Sequence, residues 1–167
     1  MKGFRTYLLA ILLLACPFVA AAQEDNPVPS VQVVTGDDVV AYARTFKGVP
    51  YKLGASGPKA FDCSSYTRYV YKHFGYDITA YSQVQFREGR PVDSYADLQK
   101  GDLVFFGKKR GVRTIGHVGI VVSVDREKGS FTFIHASVSG GVMEQTSSHP
   151  YFMMRYMGAR RLLPDEE

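Results

Sequence analysis

One thiol and a pair of histidines are the side chains of this sequence best suited to nucleophilic chemistry. Cys63 follows Asp62 at the predicted start of a helix. Backbone N–H groups and the positive end of the helix dipole gather at a helix N-terminus, where they lower the pKa of a thiol and can hold an oxyanion. This placement predicts that Cys63 is a nucleophile. The alternative is a small apolar side chain that points into the core.

The base that such a thiol needs is predicted to come from a β-hairpin. Residues 117–124 and 130–136 are predicted strands joined by a turn, so His117 is expected opposite Ser137. His117 and His135 then project from the same face as diagonal neighbours, roughly 7–8 Å apart at Cα and within ring contact. One imidazole can act as base while the other fixes its tautomer and orientation. A shift of one residue would place the rings on opposite faces.

Other interpretations of the histidines stay open. The pair could be two unrelated strand residues, or it could bind a metal, although the sequence offers no convincing carboxylate or thiol partners. His73 lies at the far end of the helix that starts at Cys63, about 15 Å away, and is expected at the surface. His149 falls in a Ser-Ser-His-Pro turn, where we expect it to be solvated or at a groove rim.

The elements that must position these residues change type along the chain. Three helices are predicted: from a cap at Asp37 to Lys47, from Cys63 to Phe74, and a short one whose capping box is Ser82 with Gln85. Strands are predicted over 102–106, 117–124, 130–136, 142–145 and 157–163, with Val118, Ile120, Val122 and Val124 on one face. Helices followed by an antiparallel meander predict an α+β fold.

The N-terminal residues indicate export. Lys2 and Arg5 precede an apolar run too short to span a bilayer, and a small-residue site ends at Ala22, so residues 1–22 are a predicted signal peptide. A membrane anchor that is never cut is the alternative. Residues 13–16 also resemble a lipoprotein cleavage box, in which Cys16 would carry the lipid.

Composition limits the remaining function classes. The 167 residues suit one domain, and 46% hydrophobic with 22% charged residues is typical of a globular protein. The formal charge of +4 comes without a dense basic run, so nucleic acid is not an expected partner, and we expect a monomer. Without Cys16, Cys63 is the only thiol, and an exported chain with one unpaired Cys favours a reactive thiol.

Four motifs, in this order and spacing, resemble the NlpC family of bacterial cell-wall cysteine peptidases, within the papain-like superfamily. They are Phe61-Asp62-Cys63-Ser64-Ser65, Lys100-Gly101-Asp102-Leu103-Val104-Phe105-Phe106, His117-Val118-Gly119-Ile120 and Phe133-Ile134-His135-Ala136-Ser137. The resemblance covers about residues 40–163, and the chain looks most like the small murein endopeptidase lipoproteins of the family. It implies N-terminal helices packed on a five- to six-stranded antiparallel sheet. The expected layout is a leader at 23–36, a peptidase domain at 37–164 and a tail at 165–167.

The resemblance implies a role for each matching residue. Cys63 would be the nucleophile, His117 the general base and His135 the third polar residue. Tyr51 matches a residue near the oxyanion, although it could be a core aromatic. The remaining matches are Asp62 and Ser64, which can meet a free amino group on the substrate, and Ser82 at the groove edge; Asp62 could also be a helix cap, and Ser82 could be only a cap.

The implied reaction is hydrolysis of an amide bond in peptidoglycan peptides, through a thioester and without a metal or organic cofactor. The bond is either γ-D-Glu–diamino acid or the D-Ala–diaminopimelate cross-link, in the periplasm or outside the cell, with membrane contact only through a lipid on Cys16. Departures from the family pattern at Leu53, Ala55 and Ser65 concern pocket shape. A non-catalytic wall-binding module and a thiol acyltransferase or amidase are the alternatives.

Overall fold

A computed structural model describes residues 33–164, which belong to one unit that begins at Val33. The predicted signal peptide at 1–22, the lipidation site Cys16, most of the leader and the tail at 165–167 lie outside the described residues. Within residues 33–164, no helix is long and apolar enough to cross a membrane.

Helix α1 (Gly36–Arg44) begins at a threonine cap. The Thr35 hydroxyl accepts the Asp38 N–H at 3.2 Å, and the Asp38 carboxylate accepts the Thr35 N–H at 2.9 Å. The predicted cap at Asp37 is therefore wrong, because Thr35 has the extended backbone that a cap requires. Asp37 instead pairs with Lys100 at 2.5 Å. The helix also ends before the predicted Lys47, because residues 45–48 form turns.

Helix α2 (Cys63–His73) begins at a second capping box. Asp62 accepts the Ser65 N–H at 2.8 Å, while the Ser65 hydroxyl accepts the Asp62 N–H at 3.0 Å. Asp62 is thus a helix cap, and the box sets Cys63 as the first residue of the helix.

Helix α3 (Ser82–Gln85) does not begin with the predicted Ser82–Gln85 capping box, so that prediction is wrong. Its N-cap is Tyr81, without a side-chain cap bond. The Gln85 side chain is fully buried and donates to the Ser64 carbonyl at 2.9 Å and to the Thr79 carbonyl at 2.5 Å. Buried carbonyl groups need a hydrogen-bond donor. Because the Gln85 amide donates to two of them, it does not bond the backbone at the start of α3.

Six antiparallel strands form one sheet in the order β1-β6-β2-β3-β4-β5. The predicted α+β class and the six-stranded option are confirmed. The strands are β1 (Arg90–Val92), β2 (Leu103–Gly107), β3 (Ile115–Asp125), β4 (Ser130–Ser137), β5 (Gly141–Thr146) and β6 (Tyr156–Arg161). Strand β1 was not predicted because it is short and contains Pro91, which suits only a sheet edge.

The sheet has an apolar core on each face. In β2, Leu103 and Phe105 face the first core, under α1 and α2, while Val104 and Phe106 face the second. Phe152, on the short helix α4 (Pro150–Met153), helps to cover the second core. A strand buried on both faces is apolar at successive residues, which explains the uninterrupted Leu-Val-Phe-Phe run.

A β-bulge divides the hairpin of β3 and β4. Ile120 pairs with Ile134 as predicted, but the register shifts between Val121 and Ser123. The predicted common face of Val118, Ile120, Val122 and Val124 is therefore wrong at its last member: the first three belong to the first core, and Val124 packs against the second. An extra residue in one strand reverses the alternation beyond it.

A buried ion pair joins the ends of β2 and β6. Arg161 donates to both carboxylate oxygens of Asp102, at 2.7 and 2.9 Å, and Asp102 is 1% exposed. The two-point geometry satisfies the carboxylate without water. This pair explains why the Lys-Gly-Asp motif directly precedes a buried strand.

Candidate active site

The thiol of Cys63 lies where α2 meets strand β3. The backbone N–H groups of Val118 and Ser64 stabilise the thiolate form of its sulfur and so lower the pKa of the thiol. Val118 follows His117 in the chain, so the contact brings the predicted nucleophile beside the residue that carries the predicted base. Among the described residues, no hydrogen bond joins the sulfur directly to an imidazole.

Burial controls the ionisation of this thiol. It raises the pKa of Cys63 to about 11, and the nearby Asp62 carboxylate raises it further, while hydrogen bonds from backbone N–H groups lower it. The expectation that the start of α2 lowers the thiol pKa is therefore wrong for the free site. Removal of water costs a thiolate more than the few N–H groups return. The resting sulfur is a neutral thiol that needs a base.

The two predicted histidines are in direct contact. His117 Nε2 and His135 Nδ1 are 2.6 Å apart, and the rings are nearly perpendicular, with centroids 4.8 Å apart. The predicted ring contact is confirmed. Both residues lie beyond Ile120–Ile134, the last β3–β4 pair on this side among the described residues, so the predicted pairing of His117 with Ser137 is not part of the ladder.

This contact leaves one nitrogen of His117 for proton transfer. Because Nε2 faces His135, Nδ1 is the nitrogen that can accept a proton. A proton on His117 Nε2 donated to His135 Nδ1 places the second ring's own proton on its Nε2. That atom of His135 is buried and has no hydrogen-bond partner in the described part of the chain.

The low polarity around the pair keeps both rings neutral. Burial lowers the pKa of His117 to about 4, and burial with the adjacent His117 lowers that of His135 to about 3. Aromatic rings enclose them: Phe152 lies 5.5 Å from His135 and 6.4 Å from His117 between ring centroids, and Phe133 lies 5.0 Å from His135. Sequence reasoning missed Phe152, because nothing in a four-residue helix after a turn marks its face.

Gly119 is a second position that the sequence motif contains but does not explain. A Cβ there would lie 2.6 Å from the Phe133 ring, 3.0 Å from the Ile134 carbonyl oxygen and 3.2 Å from the His135 Cβ. The close packing of β4 against this backbone therefore requires glycine, and it sets where the His135 ring stands.

Tyr51 lies next to the nucleophile. Burial raises the pKa of its phenol, and the charges of Cys63 and Asp62 raise it further. The ring also packs against the first core, so the alternative of a core aromatic holds as well. A phenol O–H beside the sulfur is a suitable donor to an oxyanion.

Asp62 and Ser64, which flank Cys63 in the chain, are hydrogen-bonded to each other. The Ser64 hydroxyl donates to Asp62 Oδ1 at 3.2 Å and to the Ala80 carbonyl at 3.1 Å, and Gly54 N–H donates to Asp62 Oδ2 at 3.0 Å. One carboxylate oxygen thus retains a free lone pair. Ser82 is buried at the start of α3, and its helix reaches α2 through Gln85, a link that sequence reasoning missed.

Two departures from the family pattern have visible consequences. The Ser65 hydroxyl, at a position where glycine is common, donates to the Ala55 carbonyl and ties the loop of residues 54–58 to α2. Leu53, where a tryptophan is usual, is 80% exposed. The Ser65 hydrogen bond therefore fixes the loop to α2, and Leu53, directly before the loop, exposes an apolar side chain to solvent.

The other histidines lie apart from the thiol. His73 stacks on Tyr42, with centroids 3.8 Å apart, at the far end of α2. His149 is exposed, and its Nδ1 accepts the Tyr151 N–H at 3.3 Å, which caps α4. Across residues 33–164, no group of three or more His, Cys, Asp and Glu side chains could hold a metal ion.

Relatives of the chain share this arrangement of helices and sheet. A crystal structure of an NlpC/P60 family protein from Bacillus cereus superposes with a TM-score of 0.70 at 32% identity, over 79% of this chain and 41% of that one. The murein DD-endopeptidase MepS/murein LD-carboxypeptidase of Escherichia coli K12 is 38% identical over 71% of this chain and 58% of its own length. The γ-D-glutamyl-L-lysine dipeptidyl-peptidase of Bacillus cereus is 33% identical over 86% of this chain and 40% of its own.

The chain therefore spans less than two thirds of the length of these relatives. The family model of the NlpC/P60 family matches residues 48–161, which include every element from α2 to β6. From the order of its motifs, its six-stranded sheet and this match, the chain belongs to the NlpC/P60 family.

Proposed function

We propose that this chain is a cysteine endopeptidase that hydrolyses amide bonds in peptidoglycan stem peptides or cross-links. The observation that carries the proposal is the contact between the His117 and His135 rings, with 2.6 Å between Nε2 and Nδ1, on the strand whose Val118 N–H stabilises the thiolate form of Cys63. In this proposal Cys63, at the first residue of α2, is the nucleophile, His117 is the base and His135 orients the base.

In the proposed reaction, His117 Nδ1 takes the thiol proton as the Cys63 sulfur attacks the carbonyl carbon. The carbonyl oxygen becomes an oxyanion, held by N–H groups at the start of α2 and by the Tyr51 hydroxyl. The C–N bond then breaks, and the imidazolium gives its proton to the leaving amine. Water attacks the resulting thioester with His117 as base, which releases the acid and restores the thiol.

His135 supports each of these proton transfers. Its Nδ1 accepts from His117 Nε2, so the ring of His117 cannot rotate and its positive charge is shared when it forms. The low pKa values keep His117 unprotonated, ready to act as base, at any pH well above 4.

The substrate class follows from the two named relatives, which act on murein and on γ-D-glutamyl-L-lysine peptides. We therefore propose either the γ-D-Glu–diamino acid bond or the D-Ala–diaminopimelate cross-link as the scissile bond. The free lone pair of Asp62, with Ser64 beside it, would accept an ammonium group of a stem peptide in the first case.

The place of action is proposed to be the cell envelope, in the periplasm or outside the cell. The predicted signal peptide at residues 1–22 supports export, and the box at Cys16 supports a lipid-anchored form as the alternative. Peptidoglycan lies in the same compartment.

Digestion of purified peptidoglycan, and separately of soluble muropeptides, tests the activity. We expect the mature protein to release peptide fragments whose masses identify the bond, and Cys63→Ala to release none. If both proteins bind the wall and neither releases fragments, the chain is a binding module. If fragments appear only attached to an added amine or lipid acceptor, the chemistry is acyl transfer.

A further inference from the structure

A cavity of about 390 Å³ lies beside the histidine pair. Its walls come from β3, from the β4–β5 turn and from the segment of α4, and the lining residues include His117, His135, Ser137, Gln145 and His149. Volumes of about 300–1,000 Å³ are typical of small-molecule sites, so this cavity can hold one or two amino-acid residues.

The position of the cavity assigns it to one side of the scissile bond. The acyl part of a substrate bonds to Cys63, near Tyr51 and Asp62. The leaving amine must instead meet His117, which gives it a proton. A cavity bordered by His117 and His135 therefore receives the part of the substrate that follows the scissile bond.

The walls of this cavity offer hydrogen-bond donors and no acid. No Asp or Glu is among the residues that line it. Because His149 Nδ1 accepts the Tyr151 N–H, the Nε2 atom of this ring carries a proton that it can donate. Ser137 and Ser139 share one hydrogen bond at 3.3 Å, so one hydroxyl hydrogen remains for a ligand.

Two further observations point to an anionic ligand. The Gln145 side chain, on the same face as Phe133, makes no hydrogen bond to the described part of the chain. The Arg155 guanidinium stacks 3.8 Å from the centroid of Tyr151, a lining residue, so a positive charge adjoins that residue. His135, 2% exposed and with an unpartnered Nε2, forms part of the wall.

We propose that this cavity is the leaving-group subsite and that it binds a free carboxylate carried by the diamino acid after the scissile bond. The assignment rests on the proposed peptidase function. Both candidate bonds place a diamino acid on the leaving side, and diaminopimelate at that position carries a free carboxylate. The donors of His149, Gln145 and the Ser137–Ser139 pair supply its hydrogen bonds.

The first test measures binding without turnover. In Cys63→Ala, meso-diaminopimelate should shift the NMR signals of the His149 and His135 rings, and its diamide should bind about tenfold more weakly, as expected for a lost charge-assisted hydrogen bond. His149→Asn keeps the cap of α4, because the Asn Oδ1 can accept the Tyr151 N–H. The substitution removes the Nε2–H donor that reaches into the cavity. This variant and Gln145→Leu should each lose most of the preference for the acid over the diamide.

The second test measures turnover with stem peptides whose leaving-side carboxylate is free or amidated. Wild type should show about tenfold higher kcat/KM for the free acid, and His149→Asn and Gln145→Leu should reduce that ratio toward one. Ser148→Ala is the control, because its hydroxyl bonds Thr146 and does not line the cavity. It should keep the ratio.

The two tests separate this subsite from the peptidase proposal. Binding of diaminopimelate with His149-dependent preference, but no hydrolysis of any peptide, would retain the subsite and reject the peptidase. Hydrolysis with equal kcat/KM for acid and amide, or with a preference that survives both substitutions, would reject the subsite and retain the peptidase.

Discussion

At the scale of single residues, the Asp62 carboxylate has two opposed effects on the nucleophile. It caps the helix that carries Cys63, yet its charge raises the pKa of the thiol. Asp62→Asn keeps a cap side chain of the same shape and removes the charge. We expect the pKa of Cys63 to fall, so that iodoacetamide alkylates it faster at pH 8, while the free energy of unfolding changes by less than about 1 kcal/mol.

Alkylation rates measured from pH 6 to 11 give the thiol pKa in both proteins. Asp62→Ala serves as the comparison, since it removes the charge and also loses the cap, at a cost of about 1 kcal/mol. An unchanged or higher thiol pKa in Asp62→Asn would show that the carboxylate does not act on the sulfur.

The pH dependence of catalysis follows from the buried histidines. Because burial lowers the pKa of His117 to about 4, the base is deprotonated far below the usual 6.5 of histidine. We expect kcat/KM for a soluble muropeptide to stay constant from pH 7 down to about pH 5 and to fall only below that. A fall in kcat/KM centred near pH 6.5, while circular dichroism shows folded protein at each pH, would contradict the burial of the His117–His135 pair.

Residue types and spacing were enough to predict that the two histidine rings meet, because side chains two residues apart along a strand share one face. The catalytic roles of Cys63, His117 and His135 stay a prediction. The direction of the thiol pKa shift was not predictable. The start of a helix is visible in the sequence, whereas the depth at which α2 packs on β3 is not. The tertiary burial of Cys63 outweighs its local backbone.

At the scale of elements, the approach of β4 to β3 depends on Gly119. Gly119→Ala places a methyl group against the Phe133 ring and the Ile134 carbonyl, contacts that a rigid strand cannot relieve cheaply. We expect a loss of about 1–3 kcal/mol in the free energy of unfolding, measured in urea, and a lower kcat because His135 is displaced.

Gly140→Ala is the matched control for this substitution. Its Cβ would meet only the flexible side chain of Met143 in the β4–β5 turn. Both stability and kcat should stay near the wild-type values. Equal effects of the two substitutions would mean that the tight contact at Gly119 does not position the imidazole.

Most elements could be predicted from apolar periodicity, but their ends and faces depend on tertiary contacts. The β3–β4 bulge places Val124 against the second core. One extra residue leaves the apolar alternation of the sequence unchanged but reverses which face of the sheet each later side chain occupies. Gln85 looked like a capping residue and instead satisfies buried carbonyl groups of α2 and of the segment before α3. The thiol–Val118 contact joins two elements far apart in the chain, so no local pattern indicates it.

At the scale of the whole molecule, two neutral buried imidazoles make stability depend on pH. Below about 6.5 the unfolded chain binds protons that folded His117 and His135, with pKa values of about 4 and 3, do not bind. The free energy of unfolding should therefore fall as pH decreases from 6.5 toward 4, by up to about 1.4 kcal/mol per pH unit for each ring.

Urea unfolding between pH 7.5 and 5 checks this slope above the range where most carboxylates titrate. His135→Asn should have about half the wild-type slope in this interval, since one of the two rings is gone. The same slope in both proteins would place the proton uptake elsewhere.

The two faces of the sheet have a further consequence for when the protein is active. Cys63 packs against the first core, and the imidazole pair contacts Phe106 and Phe133 of the second core. The proposed site is therefore complete only when both cores of the sheet have formed. An unfolded or half-formed chain therefore lacks the assembled site, and the proposed hydrolysis would begin only when folding is complete.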